Sequence, residues 1–436
     1  MDDKKLTIRT KFFALTLWSA VFALVYNFSA WYISRLDNVP SFVFGFERYI
    51  PFLNWTIIPY MTSGIFICLV FILCKTRKEL VVLTKRMLFV TIVAGICFIL
   101  FPLKFSLPKP DVSNTVLGFS FDLLVKFDSP FNQSPSLHIA YAFIFWTVLR
   151  KFNKGWRTVI ILWLILLGIS TLTTYQHHFI DVLTGNILAH LSFIIIPYDK
   201  NNFIYRNFHV ANFYFLLGWI LISAAILLYN FDGLIWVILP WPAVVVMLIG
   251  YQYQKNNIYF LKDKNGNISL FKKIFYLPYL LIYWLFWKFR RKNNVPLEIL
   301  PKIYISSKPG KEDLKHFKIS RNTSVYDLSA ELEAIPEIKE NSSYYFFPYL
   351  DIAMFDAEET RKLIIQITKN YKQLPEDGKI LIHCTMGYTR SSIIGALVMK
   401  NILSLPLDQT ITRIRSINKN AVIHSYLLDF LTKFKL

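Results

Sequence analysis

Acidic residues are scarce in this chain. It carries 28 Asp and Glu against 48 Lys and Arg, a formal net charge of +20. Cysteine is scarcer still, with four in 436 residues. Cys68, Cys74 and Cys97 lie in or beside apolar runs, where a free thiol behaves as a small hydrophobe. No spacing suits a disulfide framework or a zinc site, so no metal is expected. There is no internal repeat and no low-complexity tract. No cleavable signal peptide is evident, because the first apolar run is too long for one and lacks a small-residue cleavage site. These absences exclude a disulfide-stapled module, a zinc-binding domain and a repeat solenoid. Nothing calls for a cofactor.

What the chain has is apolar length. It is 54% hydrophobic, with a mean hydropathy of +0.41. A bilayer-spanning helix needs roughly 17–25 apolar residues. Such runs fall at 12–34, 57–74, 87–101, 136–149, 158–174, 179–197, 211–229 and 233–251, the third and fourth being short. Residues 1–251 therefore read as an all-α polytopic membrane bundle of about eight spans.

The positive charge lies between these runs. Residues 1–294 hold 29 Lys and Arg against 12 acidic residues, whereas 295–436 hold 19 against 16. A nucleic-acid footprint would be a patch on a folded domain, so no nucleic-acid partner is expected. The distribution is the positive-inside pattern. With a cytoplasmic N-terminus the inner segments carry 24 Lys and Arg and the outer ones 5. Residues 252–294 read as a basic linker, with a turn at Lys264-Asn265-Gly266-Asn267. Its aromatic stretch at 274–287 has Lys272 and Lys273 before it and a basic cluster at 288–292 after it. That pattern suits an interfacial helix rather than a ninth span. Both termini are then cytoplasmic, and membrane lipids are the expected partners.

From Val295 the composition becomes that of a soluble α/β domain. Strands are expected at 303–306, 324–328, 344–350 and 379–382. Helices follow at 357–373, 391–403, 407–416 and 424–434, the first opened by an Asp356/Glu359 capping box. The last strand runs into HCTMGYTRS at 383–391. Cleaving a phosphate monoester takes a nucleophile, a clamp for the oxygens and an acid for the leaving group. Cys384 supplies the thiolate. The helix beginning near Arg390 aims its N-terminus at the anion. Arg390 offers a planar fork for two oxygens. Gly387 lets the loop turn, Ser391 can hydrogen-bond the sulfur, and His383 would orient the loop. No residue between Cys384 and Arg390 is basic, which suits a single phosphate on a protein side chain or a lipid.

Strand, HC-x5-RS and apolar helix together resemble cysteine-dependent protein tyrosine and dual-specificity phosphatases. The tail is similar to the dual-specificity type over its whole length, including DLSAEL at 327–332. The resemblance implies an Asp general acid upstream of the cysteine, shortly ahead of a helix. Asp351 fits; Asp356 is the alternative, better explained as a cap.

A second constellation lies at helix ends in the bundle, on the outer face by the same charge argument. Pro135-Ser136-Leu137-His138 opens one apolar run, and 170–181 joins two others. Titratable residues in such places are functional by default. His177 and Asp181 share a helix face. Asp181 can hold His177 in one tautomer, His138 can protonate a departing oxygen, and Ser136 at a helix N-terminus can bind phosphate. His178 is an alternative nucleophile.

These residues resemble the type 2 phosphatidic acid phosphatase superfamily, whose motifs are K-x6-RP, PSxH and SR-x5-H-x3-D. The second is intact. The third is present as Ser170, His177 and Asp181, with Thr171 in place of the arginine. The first is nearest to Lys104-x4-Lys109-Pro110. The run QHHFID is also similar to the inositol-phosphotransferase branch. The resemblance implies a phosphohistidine at His177, resolved by water or an alcohol. The expectation is an integral membrane phosphatase with an outer histidine site for lipid phosphate and an inner cysteine site for a phosphoprotein or lipid monophosphate. The alternatives are a cysteine phosphatase on an inactive or lipid-binding bundle, and a head-group transferase.

Overall fold

The computed structural model describes residues 6–112, 116–199, 201–230, 235–291 and 295–435. Lys292, the last residue of the basic cluster, lies outside them. The chain groups into two compact units, Met1–Tyr198 with Trp219–Val237, and Asp199–Gly218 with Ile238–Leu436.

The first unit is helical: α1 (Ile8–Ile33), α2 (Ile57–Leu73), α3 (Arg77–Leu100), α4 (Gly118–Phe127), α5 (Leu137–Leu149), α6 (Lys154–Thr173) and α7 (Phe179–Ile195). Helix α8 (Phe203–Leu227) contributes to both units, and the short α9 (Ile235–Ile238) follows. Polar side chains set where helices begin. Thr76 accepts from the Glu79 N–H and Asn153 from the Trp156 N–H, as N-caps do. Within the described residues every apolar run contains a helix, and six helices there are long and apolar enough to cross a membrane, against about eight expected. The run at 87–101 is extended at its N-terminal side by residues 77–86 and becomes the 24-residue α3. Helices α5 and α7 have 13 and 17 residues. They begin directly after Ser136 and His178, which belong to the polar motifs.

The second unit contains α10 (Pro240–Lys255), α11 (Leu270–Phe275) and α12 (Leu277–Arg290), followed by a five-stranded sheet. The strands are β1 (Leu297–Leu300), β2 (Ile303–Ser307), β3 (Thr323–Ser329), β4 (Ser343–Tyr349) and β5 (Lys379–Cys384), in the order β1-β2-β5-β3-β4. Only β1 is antiparallel. Around the sheet lie α13 (Pro336–Asn341), α14 (Ala357–Lys372), α15 (Arg390–Leu403), α16 (Leu407–Ile417) and α17 (Ser425–Lys433). Alternation along the strands builds two cores. Ile380 and Ile382 pack with α14–α17, while Leu381 and Val325 pack with Phe317 and Ile338 on the other face.

The four expected strands and four expected helices of the tail are present, each within a few residues of its expected ends. Strand β1 and helix α13 are additional. β1 is four residues long and is joined to β2 by a turn in which Lys302 has φ +63°. Asp356 caps α14 through the N–H groups of Glu358 and Glu359. Glu359 pairs with Lys362 rather than completing the box. The turn at Asp263–Asn267 has Gly266 at φ +73° but joins no strands. Residues 252–291 are packed rather than free. Phe260, Leu261, Tyr276 and Tyr279 share a core with Val245 and Ile249 of α10 and with Ala330, Leu350 and Ala353 of the sheet domain.

Candidate functional site

The parallel strands bring their C-terminal ends together, and Cys384 stands at the end of the central strand β5. The chain then turns through 385–389 into α15. Gly387 has φ +77°, and a Cβ there would meet the Ser307 backbone nitrogen at 2.6 Å, so the turn requires glycine. Its N–H donates to Cys384 Sγ at 3.2 Å, and Ser391 Oγ lies 3.5 Å from the same sulfur. The loop is fixed from outside: Lys308 N–H donates to Thr385 O, Asn418 Nδ2 to Gly387 O, and Val422 N–H to Tyr388 O.

Arg390 is buried. Its Nη1 donates to both Glu331 oxygens at 3.0 and 2.9 Å and to Tyr349 O at 2.8 Å. Its Nη2 reaches Thr385 Oγ1 at 3.2 Å and Asp351 Oδ1 at 3.4 Å. Burial works against the guanidinium charge, but Glu331 and Asp351 outweigh it and raise the pKa well above its usual value. Asp351 is thus brought to the site with Cys384, Arg390 and Ser391, whereas Asp356 is occupied as a helix cap. Ile352, next to Asp351, is held at φ +57°, a strained conformation for a β-branched residue. Arg206 Nε pins it by donating to Ile352 O, and the Tyr253 hydroxyl donates to Asp351 O.

His383 does not orient the loop by hydrogen bonding. Both ring nitrogens are buried without a hydrogen bond among the described residues, and Nδ1 lies 3.6 Å from Asp327 Oδ1. Burial pushes this imidazole down to about 4, against the pull of Asp327. Asp327 is itself held by Lys262 at 3.1 Å and by the Tyr344 hydroxyl at 2.7 Å. Glu331 and Lys262 are the partners that reading the sequence missed. Glu331 sits inside DLSAEL, where nothing local reveals its distant arginine.

In the first unit His138 and His177 face one another, with ring centroids 5.8 Å apart. They line a cavity of about 300 Å³ together with Tyr26, Tyr60, Asn132 and Asp128. His138 stacks on Tyr60 at 4.2 Å. His177 Nδ1 lies 3.3 Å from Asp181 Oδ2, as the spacing predicts, and that oxygen also accepts from the His178 N–H at 2.8 Å. His178 is engaged elsewhere. Its Nδ1 donates to Glu47 Oε2 at 2.9 Å, and its Nε2 accepts from the Ser106 N–H.

The expected phosphate clamp is not assembled. Lys109 donates to Gln176 Oε1, Lys104 is exposed, and neither lines the cavity. Ser136 is buried without lining it; its N–H donates to Asp181 O. Thr171 donates its hydroxyl to Gly168 O within its own helix. Asp128 was not singled out by its sequence context. Its carboxylate accepts from the Tyr26 and Tyr60 hydroxyls. Burial works to raise Asp128, and His138 beside it, with the two tyrosine hydroxyls and His177, holds it below the usual carboxylate value.

Residues 83–205 match the family model of the PAP2 superfamily. No curated protein matches the chain significantly. Among solved structures, Tk-PTP in its active form is 19% identical, aligned over 32% of this chain and 95% of its own, with a TM-score of 0.29. Human DUSP28 is 13% identical over 32% of this chain and 91% of its own, at 0.26. The human tyrosine phosphatase-like serine/threonine/tyrosine-interacting protein is 11% identical over 32% and 95%, also at a low TM-score of 0.27.

Proposed function

We propose that the protein is a multi-pass membrane phosphatase with two phosphate sites, the cysteine site on the cytoplasmic side and the histidine site on the outer side. The observation that carries the cysteine chemistry is the convergence of the Gly387 N–H and Ser391 on Cys384, with buried Arg390 close enough to interact with it electrostatically. The thiolate attacks phosphorus, and an S–P bond forms as the ester P–O bond breaks. Asp351 gives its proton to the leaving oxygen. Water then cleaves the S–P bond and returns a proton to Asp351, releasing phosphate. Arg390 and the loop N–H groups hold the equatorial oxygens in both steps.

At the second site His177 attacks through Nε2, with Asp181 accepting from Nδ1 and His138 protonating the leaving group. Water or an alcohol resolves the phosphohistidine. A catalytically silent bundle that anchors the cysteine enzyme is favoured by one observation, the lack of any Lys or Arg among the described residues lining the cavity. Phosphate release from lipid phosphates and a soluble aryl phosphate, measured on wild type, Cys384→Ser and His177→Ala, separates the readings. Two sites predict that each variant loses a different substrate. If His177→Ala keeps full activity on every lipid phosphate, the histidine site is silent.

A further inference from the structure

Helices α11 and α12 have two unlike faces. At four-residue intervals Tyr279, Tyr283, Trp287 and Arg291 turn toward the sheet domain. Tyr279 is 4% exposed. The Tyr283 hydroxyl lies 3.4 Å from Asp351 Oδ2, Trp287 Nε1 donates to Lys308 O at 2.9 Å, and Arg291 pairs with Asp313. The end of α12 reaches the phosphate loop, where the Tyr388 hydroxyl donates to Arg290 O. The other side carries Phe271, Ile274, Leu281, Ile282, Phe286 and Phe289, exposed by 75, 59, 48, 51, 54 and 72%. Six large apolar side chains on one side of a helix pair are an interaction surface, not a solvent-facing one.

We propose that this face lies in the headgroup region of a bilayer, and that the Cys384 site takes a single phosphate monoester carried by a lipid of that bilayer. The inference rests on the reading of Cys384 as nucleophile. Charge and continuity select the occupant. Lys272, Lys273, Lys288 and Arg290 flank the apolar face, as anionic lipid would require. The face adjoins α10, which forms most of the membrane-length apolar segment Trp236–Lys255 and whose Tyr253 shares a core with Tyr279. Geometry then selects the substrate. One helix, about 10 Å thick, separates the bilayer from Asp351 and Tyr388. A lipid head group reaches the loop directly, whereas a folded phosphoprotein would have to enter beneath it. The head-group P–O bond breaks as the S–P bond to Cys384 forms, and the Asp351 proton passes to the head-group oxygen.

The test uses the full chain with His177→Ala, so that only the cysteine site is read. The protein is reconstituted in phosphatidylcholine vesicles containing some phosphatidylserine and a lipid monophosphate. Turnover is compared with that of the free head-group phosphate, a phosphotyrosine peptide and a soluble aryl phosphate. Combined Phe271→Glu, Phe286→Glu and Phe289→Glu should lower turnover of the vesicle lipid by about tenfold or more while changing the aryl phosphate rate less than about twofold. Phe289→Glu alone should act in the same direction. Equal losses on both substrates in both variants would overturn the proposal, as would a preference for the peptide or the free head group over the vesicle lipid. Aryl phosphate turnover that survives Cys384→Ser would instead defeat the underlying reading of the cysteine site.

Discussion

The two candidate phosphate sites are built on opposite electrostatic plans. At the Cys384 loop the fixed charge is a buried guanidinium, set by Glu331 and offered with the Gly387 N–H before any ligand arrives. In the histidine cavity the fixed charge is the carboxylate of Asp128, and no Lys or Arg is among the described lining residues. The first arrangement meets a phosphate dianion with charge already in place, so little reorganisation is needed in the transition state. The second repels a dianion unless its histidines carry protons or the ligand brings hydroxyls to satisfy Asp128. A shared substrate type therefore does not imply a shared way of holding it.

The largest effect expected from this contrast is at Arg390. Arg390→Lys keeps the charge but loses the planar fork, and kcat/KM at the cysteine site should fall about a hundredfold or more. Lys109→Ala at the histidine site should change lipid phosphate turnover less than about twofold, because Lys109 is spent on Gln176. A large loss there would mean that a cationic clamp forms after all. Neutralising the opposing carboxylate gives a mixed effect, smaller than that at Arg390 and larger than that at Lys109. Asp128→Asn should lower KM for a phosphorylated lipid, by removing repulsion, and lower kcat by about tenfold, by removing the charge beside His138. A KM that rises would show that Asp128 binds substrate hydroxyls.

The smallest effect concerns pH and stability. His383 is buried neutral, with its pKa pushed down to about 4 from 6.5. The unfolded chain therefore binds a proton that the folded chain refuses between those values. The stability contribution is fully present above pH 6.5 and is lost as pH falls toward 4. Tm of the detergent-solubilised protein should drop by roughly a few degrees over that window. His383→Gln should flatten this slope, and an unchanged slope would show that Asp327 keeps the ring charged in the folded state.

Contiguous signals were legible. HCTMGYTRS is local, so nucleophile, arginine and helix start could be read from nine residues. Apolar length gave the helices, and the change of composition at Val295 marked the sheet domain. The four-residue spacing of His177 and Asp181 predicted their contact, since a helix turn imposes it. Span number was less legible, because apolar length alone does not show how far a helix extends into flanking polar residues, as α3 does from Arg77.

What the tertiary structure alone decided are pairings between residues far apart in the chain: Glu331 with Arg390, Lys262 with Asp327, Tyr26 and Tyr60 with Asp128, and Tyr283 with Asp351. It also withdrew Lys104 and Lys109 from the cavity and made a packed element of the basic segment before the sheet. The physical reason is common to all of these. Backbone periodicity and loop chemistry act over a few residues and are written in their order. The partner of a buried charge is set by which distant surfaces meet as the cores close, and no short stretch of sequence contains that.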